Sequence, residues 1–147
     1  MLDFSFRRIA PQDFAFCWPI YRDAMQPLTV ELMQWHEANQ RRGIEEALAD
    51  EGASILVSGD ADAGWLHVIE TRRDIHLGHL YLAPPARNRG LGTKFLRWMG
   101  ERATRKEKNF TLEVLKNNRA RGLYERLGFR VIETSPLKFT MQFNSGA

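Results

Sequence analysis

The chain has 147 residues, of which 44% are hydrophobic and 27% charged, with a formal net charge of +3 and a pI near 9.3. This size and mixture predict a single globular domain over residues 1–147 with one core. No apolar run approaches the roughly 18 residues of a membrane helix, and the N-terminus lacks a signal-peptide pattern, so we expect a cytoplasmic protein. The basic charge suits an anionic partner, which includes nucleic acid and phosphorylated cofactors.

The N-terminal half predicts a strand, two helices and three further strands. Alternation of Phe4, Phe6 and Arg8 indicates the first strand, and helical spacing indicates a helix over 11–25 that ends before Pro27. A weaker apolar stripe predicts a second helix over about 29–42. Strands are expected at 53–57, 64–70 and 75–82, with a turn at 58–60. Cys17, the only cysteine, is expected to be a buried small hydrophobe, and an internal disulfide is excluded.

The C-terminal half begins with the most regular helical pattern, which starts at Leu91. A strand is expected over 110–114, and then a short helix that carries Leu123 and Tyr124 on one face and ends at Gly128. Two last strands are expected at 129–133 and 137–143. This order indicates an α/β or α+β sheet domain, with a strand, helix, strand crossover over 75–115.

A glycine-rich turn, residues 87–93, lies where a strand ends and the strongest helix starts. Amides at a helix start have no intrahelical acceptor, and Gly90 and Gly92 remove side chains that would hold an anion away. A phosphate-bearing ligand is one interpretation, and a simple tight turn is the other. A triphosphatase loop would need Lys-Ser or Lys-Thr after Gly92, and a dinucleotide fingerprint would need a glycine at Phe95. Both of those sites are therefore disfavoured.

The pattern of Arg87, Gly90 and Gly92 resembles the cofactor motif of the GNAT superfamily: Arg or Gln, two residues, Gly, one residue, then Gly or Ala. Residues 80–84 look like the end of that family's fourth strand, and residues 117–129 resemble its second motif of Asn, Ala, Tyr and Gly-Phe. Together these motifs cover about 75–132, while 1–74 match in outline. The resemblance implies an α/β (α+β) fold: a mixed, splayed six- to seven-stranded sheet flanked by about four helices.

The resemblance also implies acetyl-CoA as cosubstrate, with the pantetheine arm between the splayed fourth and fifth strands. Backbone groups of Leu80 and Leu82 would pair with that arm, and the Leu82 N–H would donate to the thioester carbonyl as an oxyanion donor. The turn amides would bind the pyrophosphate. The full implied cofactor set is Leu80, Leu82, Arg87, Asn88, Arg89, Gly90, Leu91, Gly92, Thr93, Asn117 and Tyr124.

Two polar residues of the second motif each have two interpretations. Tyr124 would donate a proton to the departing thiolate as general acid, or it is a core tyrosine beside Leu123. Asn117 would hydrogen-bond the cofactor, or it caps the following helix, a task for which Asn118 is better placed.

Direct transfer requires a neutral amine, so a base or a water chain must take a proton from an ammonium acceptor. Candidates for the base are Glu70 and His79 first, then His67 and His76, with Tyr81 able to position a water. His76 and His79 are three residues apart on one strand, so they point to opposite faces, which argues against a metal site.

The acceptor side is expected in the helices over 11–42, where Glu31, Trp35 and Glu37 suit a primary amine of a small molecule, protein or peptide. An ordinary exposed carboxylate is the alternative interpretation of either glutamate. The predicted function is N-acetyl transfer by direct attack in a ternary complex. The alternatives are a noncatalytic acyl-CoA-binding or regulatory module, and a basic nucleic-acid-binding domain, for which no motif is present. We expect no metal, membrane or nucleic-acid partner, and a homodimer is compatible with the sequence.

Overall fold

The computed structural model describes residues 3–144, which include seven strands and four α-helices. In chain order these are β1 (Ser5–Arg8), α1 (Phe14–Leu32), α2 (Glu37–Ala49), β2 (Ala53–Ser58), β3 (Ala61–Glu70), β4 (Asp74–Leu82), α3 (Leu91–Arg105), β5 (Asn109–Leu115), α4 (Ala120–Arg126), β6 (Phe129–Thr134) and β7 (Lys138–Phe143). The strands follow the order β1-β2-β3-β4-β5-β7-β6 in one sheet. The predicted mixed sheet with about four helices is confirmed.

Strands β4 and β5 pair in parallel, and the pairs β1–β2, β2–β3, β5–β7 and β6–β7 are antiparallel. The parallel ladder runs from the pair Asp74 and Asn109 to the pair Leu77 and Leu112. Helix α3 connects the two strands, which confirms the predicted crossover. Beyond this ladder, β4 continues to Leu82 and leads into the glycine-rich turn.

One compact unit, called here the first unit, contains the chain up to His67 together with His79–Leu91. Its core is formed by side chains from α1, α2, β2 and β3, namely Cys17, Trp18, Tyr21, Ile44, Ala47, Leu48, Ile55 and Trp65. Cys17 is fully buried, and burial raises the pKa of its thiol to about 12. The expected structural role of Cys17 is therefore confirmed, because a thiol with this pKa is not a nucleophile at neutral pH.

The helix boundaries in the first unit differ from those predicted. Helix α1 continues through Pro27 to Leu32, so the predicted break at Pro27 is wrong, as is a second helix over 29–42. Pro27 and Asp23 are both exposed, so water can bind the Asp23 carbonyl that loses its N–H partner at position 27. The buried stripe of α2 is Ile44, Ala47 and Leu48, which begins after the predicted end of that helix.

The second unit contains Val68–Gly78 and the chain from Gly92 onward. Its aromatic core includes Phe110, Phe129 and Phe143, whose rings pack with centroids 5.2 to 6.2 Å apart. Helix α3 approaches β7 closely, since a Cβ on Gly100 would lie 2.9 Å from the Phe143 ring. Gly128 has a φ of +106° and follows α4, as predicted for its C-terminal stop. Among the helices of residues 3–144, none combines the length and apolar character needed to span a membrane.

Candidate active site

The end of β4 is held close to β3 at Gly64. A Cβ on Gly64 would lie 2.2 Å from the Tyr81 carbonyl oxygen and 3.0 Å from the Leu82 Cα, so a larger residue does not fit. The Ala83 N–H donates to the Ala63 carbonyl at 2.8 Å and fixes the same approach. Gly64 therefore positions the strand end that carries the Leu82 amide. This role of Gly64 was not predicted, although a glycine inside a strand pattern is a signal of close backbone approach.

We expect Gly64→Ala to lower the free energy of unfolding by about 2 kcal/mol or more, because the added methyl must displace backbone. Thermal denaturation measures this change. Gly43→Ala in α2 is the matched control, since a Cβ there meets nothing within 4 Å and alanine favours a helix by about 0.5–1 kcal/mol. Equal melting temperatures for wild type and Gly64→Ala would contradict the close approach.

The glycine-rich turn is built from short-range hydrogen bonds after β4. The Ala86 N–H donates to the Ala83 carbonyl at 2.9 Å, and the Arg87 N–H donates to the Pro84 carbonyl at 3.2 Å. The Arg87 side chain also returns to the strand, where its Nε donates to the Leu82 carbonyl at 2.9 Å. Because the Arg87 amide is used inside the turn, the amides available to an anion begin at Asn88.

Two left-handed residues direct the chain from this turn into α3. Asn88 has a φ of +62° and Gly90 a φ of +79°. A Cβ on Gly90 would meet nothing within 4 Å, so glycine is needed there for its backbone conformation and not for space. Residues 87–90 are exposed, and α3 begins at Leu91. The positive end of the helix dipole and the arginines at 87 and 89 therefore meet at one exposed turn.

In the second unit, the loop between β5 and α4 contains Asn117 and Asn118. The Asn118 side-chain oxygen accepts the Ala120 N–H at 2.9 Å, which confirms Asn118 as the cap at the start of α4. This hydrogen bond favours Asn118 over Asn117 as the cap, and the cofactor interpretation of Asn117 stays a prediction. The Asn118 N–H donates to the Leu115 carbonyl at 3.0 Å and anchors this loop to the end of β5.

Tyr124 lies on α4 with its ring edge-to-face against Phe129, at a centroid distance of 5.9 Å. Burial raises the pKa of the Tyr124 hydroxyl above its ordinary value. A tyrosine in such a place is fully protonated at neutral pH and is able to donate a proton. Tyr124 thus packs against Phe129, as expected of a core tyrosine, and it is also protonated, as a general acid must be.

Glu70, a candidate base, forms ion pairs with three basic side chains of the second unit. Its carboxylate oxygens lie 3.2 Å from Arg102, 2.8 Å from Lys106 and 2.7 Å from Lys108. Hydrogen bonds from the two lysines lower the pKa of Glu70 to about 2. A carboxylate with this pKa takes up almost no protons at neutral pH, so the geometry argues for a structural ion pair and against a base.

The histidine candidates have polar partners of different kinds. His79 Nδ1 lies 2.9 Å from the Tyr81 hydroxyl, and His67 Nε2 lies 2.9 Å from a carboxylate oxygen of Asp50. His76 Nδ1 lies 2.8 Å from the Thr111 hydroxyl in the second unit. Within residues 3–144, His, Cys, Asp and Glu side chains form no group of three or more that could hold a metal ion.

The residues expected on the acceptor side are partly brought together. Trp35 Nε1 donates to the Glu37 carboxylate at 3.1 Å, and the Trp35 ring stacks on Tyr21 at a centroid distance of 6.1 Å. Tyr21, which sequence reasoning did not select, also donates its hydroxyl to Gln40 of α2. Glu31 is exposed near the end of α1. Tyr21 is buried and supports the half-buried Trp35 ring, and that ring with a carboxylate beside it suits a cationic amine.

One protein family and several solved structures are similar to this chain. The acetyltransferase (GNAT) domain family matches residues 23–140, whereas no protein with a curated description matches the chain by sequence. Among solved structures, PaiA N-acetyltransferase from Thermoplasma acidophilum, in complex with coenzyme A, is 17% identical with a TM-score of 0.71, over 97% of this chain and 99% of that one. The ribosomal-protein-S18-alanine N-acetyltransferase from Escherichia coli is 16% identical with a TM-score of 0.68, over 98% of each chain.

A third similar structure is Arabidopsis thaliana Naa50 in complex with the bisubstrate analogue CoA-Ac-MVNAL. It is 13% identical with a TM-score of 0.65, over 97% of this chain and 99% of that one. At these identities the likeness concerns the fold. The family match covers most of the chain and includes both the turn before α3 and the helix that carries Tyr124. The chain belongs to the GNAT family of acetyltransferases.

Proposed function

We propose that this protein transfers the acetyl group of acetyl-CoA to a primary amine by direct attack in a ternary complex. The observation that carries the proposal is the segment from Gly64 to α3. There the end of β4, held close at Gly64, is followed by a turn with a left-handed residue at Gly90 and by the N-terminus of α3. These features fit the thioester and the pyrophosphate of acetyl-CoA.

The cofactor roles are assigned residue by residue from the family motifs. Amides from Asn88 to Thr93 would bind the pyrophosphate, and Arg87 and Arg89 would add charge. Backbone groups of Leu80 and Leu82 would pair with the pantetheine amides. In the second unit, Asn117 and Tyr124 are the proposed cofactor residues.

The proposed chemistry needs an oxyanion donor and an acid. The neutral amine attacks the thioester carbonyl carbon, and the Leu82 N–H stabilises the negative charge that develops on the carbonyl oxygen. The carbon–sulfur bond then breaks, Tyr124 gives its hydroxyl proton to the thiolate, and the proton that the attacking nitrogen releases restores the Tyr124 hydroxyl. The fixed position of Leu82, set by Gly64 and by the Arg87 side chain, supports the first of these roles.

For the acceptor, we propose a primary amine bound as its ammonium form on the ring of Trp35, with Glu37 as the nearby carboxylate. The hydrogen bond between Trp35 and Glu37 favours Glu37 over Glu31 in this role. The amine belongs to a small molecule, a protein or a peptide. Family membership favours acetyl transfer over the noncatalytic module and over nucleic-acid binding, while the cytoplasmic location and the homodimer stay predictions.

The test is a calorimetric titration with acetyl-CoA, followed by release of free CoA from the saturated complex in the presence of amines. The panel contains polyamines, amino acids, aminoglycosides and peptides with free N-termini. Binding with CoA release in the presence of one amine class would establish the transferase and its acceptor class. Absence of binding would contradict the proposed cofactor turn, and binding without release of CoA would favour the noncatalytic module.

A further inference from the structure

We propose that an open cavity between the start of α1 and one face of α2 binds a free α-amino acid with a large apolar side chain. The cavity has a volume of about 510 Å³, within the range of about 300–1,000 Å³ that is typical of small-molecule sites. All of its lining residues lie in the first unit, and none of them belongs to the proposed acetyl-CoA or acceptor sites. The inference therefore goes beyond the proposed function and does not depend on it.

One side of the cavity is an apolar wall. It is formed by the connection between β1 and α1, by the first residue of α1 and by the end of α2, namely by Ile9, Pro11, Phe14 and Leu48. Ile9 and Phe14 also pack against the core cluster that contains Trp18. A ligand with an apolar side chain would remove this wall from water, which favours its binding.

Hydrogen bonds hold the wall in place. The buried Asp13 carboxylate accepts the Ala10 N–H at 2.7 Å, and the Asp13 N–H donates to the Ala10 carbonyl at 2.9 Å. The same carboxylate accepts two hydrogen bonds from Arg7, at 2.9 and 3.0 Å. Asp13 is therefore committed to the wall, and the cavity is preformed, so a ligand need not order this segment when it binds.

Arg41 of α2 supplies a positive charge to the cavity. Its guanidinium carbon lies 5.0 Å from the centroid of the Phe14 ring and 5.3 Å from that of the Trp18 ring. Such contacts hold a guanidinium on the ring faces, while its in-plane N–H groups remain able to bind a carboxylate as a fork. Arg41 is thus a positioned donor for a ligand carboxylate.

Glu45 supplies a negative charge one helical turn from Arg41, on the same face of α2. An Arg and a Glu at this spacing can pair directly, as Arg121 and Glu125 do in α4 with 3.4 Å between Nε and Oε1. Within residues 3–144, the ion pairs include neither Arg41 nor Glu45. The two charges therefore line one cavity without direct contact, because the aromatic rings hold the guanidinium.

An apolar wall beside a separated positive and negative charge fits a zwitterion. The α-carboxylate of the ligand binds Arg41, the α-ammonium binds Glu45, and the side chain packs on the wall. A ligand with only one of these charges leaves the other cavity charge without a partner. A residue inside a peptide carries neither charge, and a residue at a peptide terminus carries one. The chemistry therefore selects a free amino acid such as leucine, isoleucine, methionine or phenylalanine.

The test is an NMR titration of the isotope-labelled full chain with L-leucine, which gives the Kd from the shifts of amides around the cavity. We expect saturable binding. N-acetyl-leucine lacks the ammonium and leucinamide lacks the carboxylate, so each should bind at least about tenfold more weakly, as for loss of a charge-assisted hydrogen bond. Alanine should also bind at least about tenfold more weakly, because it covers little of the wall. Absence of saturable binding by all four large apolar amino acids would overturn the proposal.

Two variants test the charges, and two neighbouring variants are their matched controls. Arg41→Gln and Glu45→Gln should each lower the affinity for leucine by about tenfold or more. Arg42→Gln and Glu46→Gln change the same residue types at the same spacing on α2, but these residues do not line the cavity, so wild-type affinity is expected. All four residues are exposed, so the variants are expected to fold. Wild-type affinity in Arg41→Gln, or an equal loss in Arg42→Gln, would refute the assignment.

A further comparison tests the role of Glu45 by itself. A carboxylate repels N-acetyl-leucine, whose only charge is negative, so Glu45→Gln should bind that ligand at least as tightly as wild type does. Weaker binding would contradict the role assigned to Glu45.

Leucine also carries a primary amine, so the cavity is distinguished from the proposed acceptor site by Glu37→Gln. This variant removes the proposed acceptor carboxylate and should keep the wild-type affinity for leucine. A loss of about tenfold, the size expected for a charge-assisted hydrogen bond, would place leucine at the acceptor site and overturn the cavity proposal. If leucine binds the cavity while acetyl-CoA does not bind, the proposed function is wrong and this inference stands. If CoA is released with an amine while no large apolar amino acid binds the cavity, the transferase stands and this inference is wrong.

Discussion

Replacing Gly90 by Glu is expected to abolish acetyl-CoA binding, with a loss of affinity of at least about 100-fold, as expected when a close charge pair becomes repulsive in an interface. Gly90 has a φ of +79° at the exposed turn before α3. A glutamate there strains the backbone and also places a negative charge beside the amides that would bind the pyrophosphate. Isothermal titration with acetyl-CoA measures the change.

The matched control is Gly59→Glu in the turn between β2 and β3. Gly59 has a φ of +63°, and a Cβ there also meets nothing within 4 Å, so the strain and the added charge are the same. We expect this variant to bind acetyl-CoA as wild type does, with a comparable loss of stability. Wild-type affinity in Gly90→Glu would remove the central argument for the cofactor turn.

The segment from β4 to β5 could be predicted from the sequence because several local signals agree there. The apolar run of the strand, the turn glycine at 90 and the helical spacing from Leu91 all indicate the same boundaries, and the structure has them at Leu82 and Leu91. The capping role of Asn118 follows for the same reason, since a cap is a contact within two residues. Local chemistry alone fixes these features.

The helix boundaries near Pro27 could not be predicted because they depend on which face of α1 is exposed. A proline is a strong local signal of a helix end, but here Asp23 and Pro27 are exposed, so water can reach the carbonyl that proline leaves without a donor. The sequence does not show the exposure of residue 23 before the fold is known. Tertiary context thus overrides the local preference.

The side-chain partners that decide the roles of the candidate bases are distant in the chain. Glu70 meets its cations 32 to 38 residues downstream, and Asp50 meets His67 across 17 residues. No spacing rule links such positions, because the pairing of strands and the packing of helices bring them together. From the sequence alone Glu70 and His79 are equal candidates for the base, and in the structure their partners distinguish them.

Replacing Tyr124 by Phe is expected to lower kcat by about 100-fold, as for loss of a general acid, while the Kd for acetyl-CoA changes by less than about twofold. The phenylalanine ring keeps the edge-to-face packing on Phe129, so the fold of α4 should be retained and only the hydroxyl is lost. Because burial raises the pKa of the Tyr124 hydroxyl above its ordinary value, the acid form is present throughout the neutral range. Single-turnover release of CoA gives the rate, and calorimetry gives the Kd.

An equal loss in both quantities would assign the hydroxyl to cofactor binding. A group that acts only on the leaving thiolate contributes to the transition state and not to the ground-state complex.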